Sequence, residues 1–152
     1  MGEVPIASIS VEEAWARLRS DAGSVLIDVR TIAEWAYVGL PDLATISKRP
    51  VLVEWQGFPD DRQNTAFVER VTEALSHIGA GKDSELLFIC RSGQRSLKAA
   101  QAMAAAGFAR CRERMLSRSP CPPARIIAAT LPFATTGRPP SYRRRCIRCA
   151  RS

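Results

Sequence analysis

The chemistry available to this 152-residue chain is concentrated in one heptapeptide, Cys90-Arg91-Ser92-Gly93-Gln94-Arg95-Ser96. It follows the apolar run Leu86-Leu87-Phe88-Ile89 and precedes an Ala-rich stretch that ends at Gly107. The pattern predicts a turn from a buried strand into a helix. A short loop at a helix N-terminus aims several backbone N–H groups at one spot, and the helix dipole adds partial positive charge there. Gly93 supplies a residue that takes positive φ without strain, as such an N–H cradle often requires. Arg91 and Arg95 contribute whole charges. A thiol in these surroundings ionises more readily than free cysteine, and the same cradle suits an anionic substrate or a persulfide. The competing reading of a strand-end cysteine is a small apolar core residue. The glycine loop, the two arginines and the helix that follows favour the reactive reading.

The elements that must position this loop punctuate clearly. Ser10 and Glu13 fit a capping box, after which Val11, Ala14, Trp15 and Leu18 recur at helical spacing. Residues 24–30, Ser-Val-Leu-Ile-Asp-Val-Arg, read as a strand buried on both faces, the type found in parallel sheets. Thr31 caps a short helix through Tyr37, in which Arg30 and Glu34 stand four apart. Val51-Leu52-Val53-Glu54-Trp55 is a second strand. Asn64 is the expected N-cap of a helix whose apolar stripe is Phe67, Val71, Ala74, Leu75 and Ile78, with His77 on its solvated side. Trp15 reads as core, and so do Trp35 and Trp55, although Trp55 at a strand's carboxyl end is also placed to border a pocket. Strands alternating with helices predict an α/β fold with a parallel sheet, whose ligands bind outside the carboxyl ends of the strands. Those ends present Asp28-Val29-Arg30, Glu54-Trp55 and Cys90-Arg91.

Charge divides the chain near Ala109. Residues 1–109 hold 11 Lys+Arg against 14 Asp+Glu and carry −3, whereas residues 110–152 hold 11 Arg against Glu113 alone and carry +10. The second part also contains six of the ten prolines and four of the five cysteines. Any nucleic-acid argument therefore belongs to the tail, where Arg143, Arg144, Arg145, Arg148 and Arg151 have only Tyr142 for stacking. Solvated disorder is the preferred reading there, and a nucleic-acid partner is not expected. Cys146 and Cys149 form a C-x-x-C pair, but Cys111 and Cys121 lie ten apart and make no second knuckle, so no metal is expected. No apolar run approaches the ~20 residues of a membrane span. The first residues have neither a basic start nor an apolar stretch, and the cysteine count is odd. A reduced, cytoplasmic setting with no disulfide scaffold is expected.

Two stretches resemble the rhodanese-like sulfurtransferases. One is Val25-Leu26-Ile27-Asp28-Val29-Arg30 followed by Glu34-Trp35. The other is Leu87-Phe88-Ile89-Cys90-Arg91-Ser92-Gly93-Gln94-Arg95-Ser96 with its Ala-rich helix ending in Gly107-Phe108. The resemblance covers about residues 4–109. It implies a three-layer α/β domain with a central, mostly parallel sheet flanked by helices. Cys90 would be the nucleophile and pass through a persulfide held by the amides of Arg91, Ser92, Gly93, Gln94, Arg95 and Ser96. Asp28 and Arg30 would be supporting residues beside the site, with Arg30 paired to Glu34. The implied reaction moves a sulfane sulfur from thiosulfate or another small anionic donor to a thiol or cyanide, with no cofactor and no metal. A catalytically weak sulfur-carrying or partner-binding module is the alternative. A phosphatase ranks third: cysteine phosphatases place five residues between Cys and Arg, whereas four separate Cys90 from Arg95 and Ser96 occupies the arginine position.

The chain departs from the family pattern twice. Val38-Gly39-Leu40-Pro41-Asp42-Leu43-Ala44 stands where Gly-His-Ile-Pro-Gly-Ala is usual, so no role falls to a histidine. Beyond Ala109 the usual strand and Gly-Gly turn give way to Cys111-Arg112-Glu113-Arg114-Met115 and a Pro/Arg/Cys-rich stretch. The expectation is a domain over residues 4–109 that lacks its closing strand, leaving an open sheet edge. The tail at 110–152 reads as disordered or as an out-of-frame translation of GC-rich DNA.

Overall fold

A computed structural model describes residues 5–57 and 59–115. Its centre is a five-stranded sheet in which every pairing is parallel. In chain order the elements are β1 (Ala7–Ser8), α1 (Val11–Ser20), β2 (Val25–Asp28), α2 (Ile32–Val38), β3 (Val51–Leu52), α3 (Phe67–His77), β4 (Leu86–Cys90), α4 (Gln94–Ala105) and β5 (Cys111–Met115). In space the strands run β1-β5-β4-β2-β3. The α/β architecture with a parallel sheet is therefore as expected.

Continuous apolar sequence in β2 and β4 produces the two strands that are buried on both faces. Alternate residues then face opposite layers. Val25, Ile27, Leu86, Phe88 and Cys90 join Phe67, Val71 and Leu75 of α3 and Ala99, Ala100 and Met103 of α4. Leu26, Leu87 and Ile89 face the other way, against Ala14 and Leu18 of α1, with Trp15 packed at the margin. Trp55 is buried rather than lining a pocket, its ring edge-on to Phe67 at 5.0 Å. Such a pair contributes about 0.5–1.5 kcal/mol beyond its buried area. Trp35 is half-buried, and its indole N–H is buried without a partner among the described residues.

Helix starts follow local chemistry. The Ser10 hydroxyl accepts from Glu13 N at 3.0 Å, but the Glu13 carboxylate turns to Arg17, so the first capping box is one-sided. Thr31 and Glu34 complete a full box at α2. Asn64 does not cap α3. It forms a turn one step earlier, its Oδ1 accepting from Ala66 N at 3.1 Å, and Ala66 becomes the N-cap. Ile78, the last residue of the expected stripe, falls beyond α3 and is 57% exposed. The second strand is shorter than expected, because after Leu52 only isolated hydrogen bonds from Val53 and Trp55 continue toward β2.

The expectation of a missing closing strand is overturned. Residues 111–115 form β5, and it lies inside the sheet between β1 and β4, with Cys90 opposite Met115 and Phe88 opposite Glu113. The sheet therefore extends past the expected boundary at Ala109. The segment escapes recognition because arginines at 112 and 114 and a glutamate at 113 replace the apolar residues of an interior strand. Arg112 reaches Glu85 at 3.5 Å, and Glu85, 2% exposed, is also held by Arg17 at 2.7 Å and Arg110 at 3.5 Å. The sheet's edges are instead the two-residue β1 and β3, too short to template pairing with another chain. The readings made for residues 116–152, including the arginine cluster, the C-x-x-C pair and Cys121, lie outside the described residues.

Candidate active site

β4 delivers Cys90 to the carboxyl edge of the sheet, and the chain turns at once into α4. Gly93 is the N-cap, at φ +89°, a left-handed conformation that glycine adopts without the Cβ clash of other residues. That geometry folds the loop back over the sulfur. Gly93 N donates to Cys90 Sγ at 3.0 Å and Ser96 N donates to it at 3.3 Å. The Ser96 hydroxyl lies 3.2 Å from Sγ and also donates within reach of the Gly93 carbonyl at 3.0 Å. Cys90 and Ser96 are both 0% exposed, and Gly93 is buried. Of the six loop residues singled out in the sequence, Gly93 and Ser96 touch the sulfur directly. Arg91, Ser92 and Gln94 are exposed, and no hydrogen bond joins them to it.

Arg95 points elsewhere. Its guanidinium grips Glu34 with two bonds of 2.7 and 2.9 Å, tying the first turn of α4 to α2. That grip holds the Glu34 carboxyl down at about 2, the arginine hydrogen bonds outweighing the cost of partial burial. Arg95 is raised in turn, chiefly by the same bonds. Glu34 was expected to pair with Arg30, and this is corrected. Arg30 precedes the N-cap Thr31, at a bend outside α2, so the helical i, i+4 geometry does not apply to it. Two residues back, at the end of β2, lies Asp28, whose carboxylate takes Arg30 Nε at 2.9 and 3.0 Å and Nη2 at 2.6 Å. Both are buried, at 0% and 4% exposed, and Arg30 Nη2 also reaches Gly39 O at 2.8 Å. Asp28 pairs in register with Ile89, the residue before the cysteine. The pair thus fixes the chain after α2 against the sheet next to the sulfur; removing one partner of such a buried pair costs about 3–5 kcal/mol.

One residue at the site was not anticipated. Glu113 of β5 places Oε2 3.2 Å from Ser96 Oγ, extending the line Cys90–Ser96 to a carboxylate. Its signal in the sequence was present but weak: it is the only acid after Ala109.

Chemically, a thiolate at this position meets two aligned amide donors at the positive end of α4. The second described cysteine, Cys111, contrasts with it. It is buried on β5 with Sγ near Phe108 O at 3.3 Å, and burial pushes its thiol up to about 11. No group of three His, Cys, Asp or Glu side chains able to hold a metal occurs among the described residues. A groove of about 400 Å³ lined by residues 41–44 and 47–50 touches none of the residues around Cys90.

Comparison with known proteins agrees with this fold. The family model for the rhodanese-like domain matches residues 10–113. A protein of Rickettsia conorii is 32% identical over 106 residues, spanning 70% of this chain and 78% of that one. The crystal structure of Rv0390 from M. tuberculosis superposes with a TM-score of 0.63 at 30% identity, covering 74% of this chain and 79% of that one. A protein from Saccharomyces cerevisiae, solved at atomic resolution, gives 0.50 at 26% identity over 73% and 86% of the two chains. The chain belongs to the rhodanese-like domain family, and its sheet and flanking helices are those of the rhodanese fold.

Proposed function

We propose that this protein is a sulfurtransferase that carries a sulfane sulfur on Cys90. The observation that supports this most directly is the pair of amide bonds from Gly93 and Ser96 to Sγ at the start of α4. In the proposed cycle the Cys90 thiolate attacks the outer sulfur of a small anionic donor such as thiosulfate. The new S–S bond forms on Cys90 as the donor's S–S bond breaks and sulfite leaves with the electron pair. A thiol or cyanide then attacks the outer sulfur of the persulfide and regenerates the Cys90 thiolate. The loop amides stabilise the anionic sulfur in both steps, Arg91 draws the donor, and Arg95 with Glu34 holds the first turn of α4 in place. Asp28 and Arg30 support the neighbouring chain. No helix among the described residues is long and apolar enough to cross a membrane, which fits the proposed cytoplasmic setting.

Complete burial of Cys90 favours a second reading, a weakly turning-over module that holds sulfur for a partner. Incubation with thiosulfate followed by intact and peptide mass analysis should find one added sulfur on the Cys90 peptide and none in Cys90→Ser. Failure to find it refutes both readings. Thiosulfate:cyanide turnover then separates enzyme from carrier, and hydrolysis of a phosphate ester in place of sulfur transfer would assign the loop to phosphatase chemistry.

A further inference from the structure

We propose that the exposed face where α2 meets α4 docks an acidic, apolar protein segment that carries the acceptor thiol. Six of the seven residues of α2 are apolar or aromatic, yet none is buried. Ile32 is 63% exposed, Tyr37 90% and Val38 50%, and Leu40 just past the helix is 39% exposed. A helix with so much apolar surface normally lies inside a protein. Left on the outside, such a surface marks a place where another chain binds.

This surface adjoins the sulfur loop. Glu34 faces α4, where it grips Arg95, and Arg95 precedes Ser96, whose amide meets Cys90 Sγ. Residues three and four places apart on a helix share a side, so Tyr37 and Val38 follow Glu34 along the α2–α4 junction. The same spacing puts Lys98 after Arg95 on α4. Lys98 and Arg91 of the loop are exposed, and neither has a carboxylate within 4.0 Å among the described residues. The acids of this region are already engaged, Glu34 by Arg95 and Glu54 by the Ile32 N–H at 2.6 Å. The face therefore offers apolar area beside two unpaired cations, and its complement is an apolar segment edged by Asp or Glu.

The acceptor role rests on the sulfur-transfer reading, whereas docking itself does not. Cys90 is fully buried, so an acceptor thiol gains from being held against the loop rather than arriving from solution. The docked thiolate attacks the outer sulfur of the Cys90 persulfide. A new S–S bond forms on the acceptor, and the bond to Cys90 breaks with its electron pair left on the Cys90 sulfur.

The probe is a synthetic peptide with one cysteine between two leucines, flanked by glutamates, compared with a counterpart that carries lysines in place of the glutamates. Binding of each to the full chain, with serine in place of the cysteine and a fluorescein label, is read by anisotropy at low ionic strength. The glutamate peptide should bind about tenfold more tightly than the lysine peptide. Tyr37→Ser combined with Val38→Ser, and separately Lys98→Glu, should each weaken it about fivefold. Tyr37→Ser alone serves should the double variant fail to fold. Once Cys90 is loaded from thiosulfate, the KM for sulfur transfer to the cysteine-bearing glutamate peptide should rise by similar factors in these variants, with cyanide turnover unchanged. Equal binding of the two peptides, or binding untouched by the substitutions, overturns the proposal. So does protection of Tyr37 from hydroxyl-radical footprinting in the chain alone, which would show the face already covered by residues 116–152 or by a second copy. Discriminating binding with no sulfur on Cys90 removes only sulfur transfer; sulfur on Cys90 without discriminating binding removes only the docking face.

Discussion

Replacing Glu34 by Gln isolates the tie between α2 and α4. The substitution keeps an oxygen for the Thr31 N–H, which Glu34 accepts at 3.0 Å, so the cap of α2 survives. It removes the charge held by Arg95 through bonds of 2.7 and 2.9 Å. Glu34 falls from 4.5 to about 2 in the folded protein. At ~1.4 kcal/mol per pH unit that depression caps the stabilisation at about 3 kcal/mol. The carboxylate side chain is 23% exposed and open to solvent screening, which brings the expected loss in Glu34→Gln to about 1–2 kcal/mol at neutral pH. A carboxylate lowered on folding contributes stability that is present above its unfolded value and lost as pH falls through its folded value. The wild type should therefore converge on the variant between about pH 4.5 and about pH 2, where Glu34 protonates in both states. Urea unfolding at several pH values, followed by tryptophan fluorescence, reads this difference. A neutral-pH gap below about 0.3 kcal/mol, or one that does not shrink in acid, refutes the account of how α4 is anchored.

Three further outcomes are expected. Gly93→Ala puts a Cβ on a residue at φ +89°, which should cost about 1 kcal/mol in a melt and turn an amide away from the sulfur. Sulfur transfer should fall more than about tenfold, and an unaffected rate would show that the cradle is not needed. Cys111, with its thiol raised to about 11 by burial, should resist iodoacetamide at about pH 8 in the folded protein and react only in urea. A chain ending after Ala109 should give no cooperative unfolding transition, whereas one ending after Met115 should, because residues 111–115 supply the partner of both β1 and β4. Equal stability of the two chains by circular dichroism would show that β5 contributes nothing.

How much could be read beforehand differs between the two halves of the molecule. β2, β4, α4 and the cysteine loop were legible because burial on both faces demands uninterrupted apolar sequence, and because a glycine before a helix has few structural uses. The partners of individual charges were not. Arg30 and Glu34 have helical spacing, yet one sits before the cap, and the distance between Glu34 and Arg95 in the chain gives no hint of their bidentate contact. β5 was hidden for a related reason. Arg112 and Glu113 are met by Glu85 and Ser96 from other elements, so the compensation that lets charged residues occupy an interior strand exists only after folding. Glu113 escaped notice for that reason.

The order of the strands has a consequence for synthesis. Among the described strands, the one made last occupies the second place from one side, and the one made first pairs with that one alone. During translation the N-terminal strand must wait, unattached, until Cys111–Met115 has left the ribosome. Until then β4 shows one bare side. The domain is thus completed by a late insertion rather than by growth at a margin, and the interval before that insertion is when a holdase would find the nascent chain most receptive.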